Sequence, residues 1–348
     1  MDSVLFILII IFMQKTGFIR VILVPMIGVL LFSGCASAGP DRPAEEVVKE
    51  GISNLSGMTA YTYDVALKGD VTDASATNVK FDFKLNGQLD ALDEKATKLV
   101  MRVDGSASNS ASVGGSGSAE LRMNGDDIYF NVADLKVDGE GNELPAEMTD
   151  LFGKWWQYSL PAGLLKSYGI SFTPASEDEK TKMKENLDKI IVFAKPEYVG
   201  TDDVMGEESY HYKVTVDKKG LVDFSRKSAE DQGQTVSDEE VAQNLEQLNN
   251  VDIAAEIWVG SKSKVINKFK GSLTMKGTSP GEGKGIMSAD VTLGDFGKAL
   301  SIEVPDGAAE FPMEALAGAM MGGSMTSPTD EEMMMMMMDD GSGIVDSQ

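Results

Sequence analysis

Tyr61-Thr62-Tyr63-Asp64-Val65-Ala66-Leu67-Lys68 places an aromatic or branched apolar side chain at every second position. That period of two marks a strand with one face toward a core and the other toward water. Val79, Phe81, Phe83 and Leu85 repeat the pattern against Lys80, Asp82 and Lys84. Leu99, Met101 and Val103 repeat it again, followed by Leu121 and Met123, then Ile128 and Phe130. These runs lie a few residues apart, so an antiparallel meander is their natural product. Asn124-Gly125-Asp126-Asp127 supplies turn chemistry between two of them. Gly105 to Ser118 is rich in Gly and Ser and reads as a long mobile hairpin loop.

Helical spacing flanks and interrupts the strands. Ala44 to Leu55 reads as a helix, with Val47, Val48, Ile52 and Leu55 on one face and Glu45 and Glu46 in the first turn. Lys154-Trp155-Trp156-Gln157-Tyr158 reads as a short aromatic strand between Gly153 and Pro161. Glu177 to Phe193 reads as a second helix. Strands resume at Tyr210, Tyr212, Val214 and Val216. Ser237 followed three residues later by Glu240 is a capping box, and opens a third helix carrying Val241, Leu245 and Leu248. Further strands are expected at Ile253–Val259, Val265–Met275, Met287–Leu293 and Leu300–Val304.

At the N-terminus, Lys15 and Arg20 precede an apolar run from Val21 to Phe32, which ends in Ser33-Gly34-Cys35. A positive segment, an apolar core and small residues before one cysteine form the grammar of a bacterial lipoprotein signal. Residues 1–34 are therefore expected to be signal peptide. Cys35 is the expected site of a diacylglyceryl anchor, and residues 35–43 a short tether. Phe32 departs from the leucine usual three places before such a cysteine. The segment from Met13 onward already forms a complete signal, which makes Met13 the expected start. Residues 44–312 would form the folded domain. Residues 313–348 are small, acidic and Met-rich, and read as a disordered tail.

Cys35 is the only cysteine, so no intrachain disulfide can form. The formal net charge is −24, which argues against nucleic acid and against anionic lipid surfaces, since both are polyanions. No second long apolar run would embed the body of the protein in a bilayer. The expected location is the cell membrane or outer envelope, lipid-anchored and extracytoplasmic.

No catalytic constellation emerges. His211 is the only histidine, and it alternates with Tyr210 and Tyr212, so it is expected on the solvated face of its strand. There is no G-x-S-x-G elbow, P-loop or metal-spaced Cys/His motif. The acidic pairs Asp126-Asp127 and Asp202-Asp203 lack the alternating oxygens of a calcium loop. The six consecutive methionines Met333 to Met338 lack the spacing of a copper site. No enzyme activity, cofactor or metal is expected. Tyr61, Tyr63, Phe81, Phe83, Leu99, Met101, Tyr210 and Tyr212 leave two readings open. They fill a core against the helices, or some of them line a cavity for an apolar ligand.

The signal, the first helix, the meander, the Gly153-Lys154-Trp155-Trp156 strand and Ala255-Glu256-Ile257-Trp258-Val259 occur in an order that resembles the LppX/LprG type of lipoproteins. Val291-Thr292-Leu293-Gly294-Asp295-Phe296-Gly297 and Val304-Pro305 look like that family's last strand and exit. The resemblance spans roughly Ala44 to Pro312. It implies an α+β fold in which a large curved antiparallel sheet, a half-barrel of the LolA/LolB kind, wraps around a few helices. It also implies an apolar ligand, a lipid or acyl chain, held in the concave face and carried within the envelope by a monomer. The competing reading is an envelope interaction module with a filled core and no small-molecule ligand. The Gly105–Ser118 stretch and the tail are not part of the family pattern.

Overall fold

The computed structural model describes residues 42–55, 57–72, 77–92, 97–110, 114–125, 127–138, 149–159, 177–231, 235–277, 283–299, 301 and 303–312. Cys35, the signal, nearly all of the tether and the tail lie outside the described residues. Five long strands follow the first helix: α1 (Ala44–Leu55), β1 (Ala60–Thr72), β2 (Asn78–Asp90), β3 (Lys98–Asn109), β4 (Gly114–Asn124) and β5 (Asp127–Asp138). Next come β6 (Trp156–Ser159), α2 (Glu177–Lys189), β7 (Phe193–Val204), β8 (Glu207–Val216), α3 (Lys218–Asp231) and α4 (Asp238–Asn249). The chain then runs through β9 (Val251–Gly260), β10 (Ile266–Met275), β11 (Lys284–Gly294) and β12 (Ala309–Glu310).

The twelve strands of the described residues join one open sheet in the order β12-β6-β5-β4-β3-β2-β1-β11-β10-β9-β8-β7. Every pairing is antiparallel except the short one between β12 and β6. This is the expected α+β half-barrel, a curved sheet that does not close on itself. Two sequential meanders, β1–β6 and β7–β11, meet where β1 pairs with β11.

The local reading changes in several places. Residues 105–109 and 114–118 are not loop but the end of β3 and the start of β4, paired from Gly105↔Gly117 to Ser108↔Gly114, while 111–113 lie outside the described residues. Small side chains there are a packing requirement, described below. The second helix stops at Lys189, because Phe193 opens β7. Of the expected Leu300–Val304 strand, residues 301, 303 and 304 are outside regular structure, and 300 and 302 are not described. Lys218–Asp231, unread in the sequence, is a helix, and Phe193–Val204 is the edge strand.

The helices sit at one end of the sheet. α1 buries Val47, Val48, Ile52 and Leu55, and packs on β7, β9 and β10. Gly51 lets it approach closely: a methyl there would lie 3.1 Å from Val259 Cγ2. Buried Asn54 donates from Nδ2 to the Lys264 carbonyl at 2.7 Å, pinning α1 to the β9–β10 turn. Leu187 of α2, Leu221, Val222 and Phe224 of α3 and Leu248 of α4 complete this core against Tyr212, Ile257, Phe269, Leu273, Val291 and Tyr61. A second, small cluster of Leu151 and Phe311 with Phe130, Phe152, Trp156 and Tyr158 closes the opposite edge.

Candidate functional site

Between the two clusters the helix-side face of the sheet is apolar and incompletely covered. Register assembles it row by row, because directly opposed residues share a face. One row runs Tyr61–Leu89–Leu99–Met123–Ile128–Tyr158. The next runs Tyr63–Gly87–Met101–Leu121–Phe130–Trp156, and a third Val65–Leu85–Val103–Ala119–Val132. A fourth is Leu67–Phe83–Gly105–Gly117–Leu135. Phe81, Phe83, Leu85, Leu99, Met101, Val103 and Leu121 are all only part-buried.

Glycines shape this surface. A methyl at Gly69 would overlap the Phe81 ring, and one at Gly105 would overlap the Phe83 ring. Each ring therefore lies flat across a neighbouring strand instead of standing up from the sheet. The two rings stack at a centroid distance of 5.8 Å. Tyr63 does the same over Gly87, and its hydroxyl donates to the Val100 carbonyl of β3 at 3.1 Å. The result is a broad floor of aromatic and aliphatic carbon with low relief.

The eight residues singled out from sequence divide between the two regions. Tyr212 is 1% exposed and Tyr61 8% exposed, both within the core under the helices. Burial pushes each phenol up to about 12; for Tyr212 the nearby Tyr198 and Tyr210 add to it. Tyr210 and Tyr63 pack at the margin of that core. Burial, with Tyr61 alongside, also raises the Tyr63 phenol. Phe81, Phe83, Leu99 and Met101 lie together on the part-exposed rows. Missing from that set were their register neighbours Leu85, Val103 and Leu121, and the supporting glycines 69, 87 and 105. The glycines carried a signal, since each falls in phase with the apolar positions of its own strand.

No protein-family model matches the chain, and no curated protein matches it in sequence. Among solved structures it is similar to the lipoprotein LppX of Mycobacterium tuberculosis, at 12% identity and a TM-score of 0.33 over 76% of this chain and 100% of that one. It is also similar to LprF from Mycobacterium bovis, at 12% identity and a TM-score of 0.36 over 78% and 100% of the two chains. The Pseudomonas aeruginosa MucA/MucB complex follows at 8% identity and a TM-score of 0.25, over 74% of this chain and 58% of that one.

The outer face is polar, and it corrects the expectation for His211. That side chain is not solvated: it is 13% exposed. Register places it opposite Trp258, and the rings stack at 4.0 Å. Its Nε2 lies 2.9 Å from Glu256 Oε2 and its Nδ1 3.3 Å from Asp202 Oδ2. Asp202 also accepts from Trp258 Nε1 at 2.7 Å. The neighbouring indole shields the imidazole, so His211 clamps β7, β8 and β9 together. Among the described residues no group of three or more His, Cys, Asp or Glu is placed to hold a metal ion. No described helix is long and apolar enough to cross a membrane.

Proposed function

We propose that the part-exposed half of the helix-side face binds an apolar ligand, a lipid or acyl chain, and that the protein carries it while anchored through lipid on Cys35. One observation carries the reading. Four consecutive cross-sheet rows are apolar from β1 to β5, yet Phe81, Phe83, Leu85, Met101, Val103 and Leu121 stay only partly buried. A continuous apolar surface left part-exposed is a binding feature. Flat rings over glycines suit a flexible hydrocarbon chain, which needs contact area and few directional groups. Each methylene buried contributes about 0.8 kcal/mol, so one acyl chain is enough for firm retention without any chemistry. The competing interaction-module reading is favoured by the β7–β11 half, where the helices fill the concavity.

Native mass spectrometry of the purified protein separates the two. Co-purified lipid, together with saturable binding of cis-parinaric acid that Met101→Glu weakens at least tenfold, is the expected result. Lipid-free protein with no parinaric acid binding overturns the proposal.

A further inference from the structure

On the outer face, behind the apolar rows, a cavity of about 470 Å³ lies over β1–β4. We infer that it is a second binding site, for a neutral, hydroxyl-rich ligand of the pyranoside class. This inference is independent of the apolar face. Register builds the floor as a block of adjacent residues: Thr62 opposite Gln88, Asp64 opposite Asn86, Asn86 opposite Arg102, and Arg102 opposite Glu120. Arg122 closes one side and donates from Nη1 to the Glu303 carbonyl at 2.6 Å, which draws residues 301 and 303 across as a wall. Arg122 also lies 4.7 Å from the centre of the Trp155 ring.

The lining selects the ligand by elimination. Among the described lining residues Val100 is the one aliphatic side chain and Tyr63 the one aromatic, against nine polar or charged residues, which favours a polar ligand. Asp64, Glu120 and Glu303 outnumber Arg102 and Arg122, in a chain of net charge −24, which disfavours an anion. Glu120 is engaged by both guanidiniums, with Arg102 Nε at 2.9 Å and Arg122 Nε at 2.7 Å. Burial pushes its carboxyl up, but the two arginines outweigh this and hold it below the ordinary carboxylate range. It is therefore not free to bind a cation.

Asn86, Gln88 and Asp64 have no side-chain partner among the described residues, and the Thr62 hydroxyl is a buried oxygen without one. Two amides, a carboxylate and a guanidinium on adjacent strands offer donors and acceptors a few ångströms apart. Vicinal hydroxyls, each donor and acceptor at once, match such a set. The volume falls in the range of about 300–1,000 Å³ typical of small-molecule sites.

Saturation-transfer NMR with methyl β-D-glucopyranoside, maltose and cellobiose tests this. Transfer to ring protons of at least one sugar is expected, with affinity weakened at least tenfold in Asn86→Ala/Gln88→Ala. Both side chains face outward, and circular dichroism checks that the variant folds. A response to the monosaccharide as well as the disaccharides indicates a free sugar unit, and a response to the disaccharides alone a glycan chain; both support the site. Transfer should be unchanged in Met101→Glu, so the two sites fail separately. No transfer to any of the three sugars, transfer that survives the double substitution, or full displacement by inorganic phosphate overturns the inference.

Discussion

At Gly87 a methyl group has nowhere to go. It would overlap the Val100 carbonyl oxygen and lie 2.7 Å from the Tyr63 hydroxyl. Gly87→Ala should therefore break the Tyr63–Val100 hydrogen bond and destabilise the domain by about 1–3 kcal/mol, read from urea unfolding. A neutral outcome would mean that Tyr63 does not rest on that glycine. Tyr61 gives a pH test. Burial raises its phenol from 10 to about 12, so the folded state favours the neutral form. The corresponding stability is present below pH 10 and is lost as the pH rises toward 12. Two units correspond to roughly 3 kcal/mol at full ionisation. Tyr61→Phe should shift the alkaline unfolding midpoint upward, and an unmoved midpoint contradicts the assignment. For Cys35, Cys35→Ser should move the protein from the detergent phase to the aqueous phase on Triton X-114 partitioning. Retention in the detergent phase would mean that something other than lipid on Cys35 anchors it.

Elements differ in how openly the sequence displays them. The capping box at α4 was legible and is present in full: Ser237 Oγ accepts from the Glu240 amide at 3.2 Å, and Glu240 Oε2 accepts from the Ser237 amide at 2.8 Å. Ser237→Ala should cost about 1 kcal/mol and speed amide exchange in the first turn of α4 while leaving β9 protected. Equal exchange in both would show that the cap does not act locally. The meander was legible because period two holds over β1, β2 and β3. α3 was not. Its buried residues Leu221, Val222 and Phe224 form a short patch in a polar run, and Gly220 sits in its first turn. That glycine serves contact, because a methyl there would overlap the Ile191 carbonyl. β7 hid because its pairing with β8 is broken by two register shifts, around Pro196 and Val199, so the alternation never runs cleanly. The Gly/Ser run across Gly105–Ser118 read as a loop for a related reason. Glycine there makes room for the Phe83 ring and the Leu135 side chain, and that need appears only once neighbouring strands are aligned. The candidate apolar face was thus half legible. The alternation showed which residues point inward, but not that the helices cover only one end.

Across the whole molecule, the two ends of the sheet behave as different materials. The β7–β11 end is backed by four helices and should be rigid, whereas the β2–β5 end presents part-exposed carbon. Hydrogen exchange should reflect this, with β9 and β10 amides the slowest and β3 and β4 amides faster but slowing when an acyl ligand is added. The join between the ends lies at the middle of the sheet, where Thr62 pairs with Gly294 and Thr72 with Lys284. Partners so distant along the chain mean that β1 is translated long before the strand that completes it. During synthesis the β1–β6 meander therefore has an open edge of strand backbone at β1, and open edges invite pairing with the wrong neighbour. Folding must wait for the last long strand. Until then the newborn chain is most exposed to wrong pairing at β1, the strand whose partner is made last.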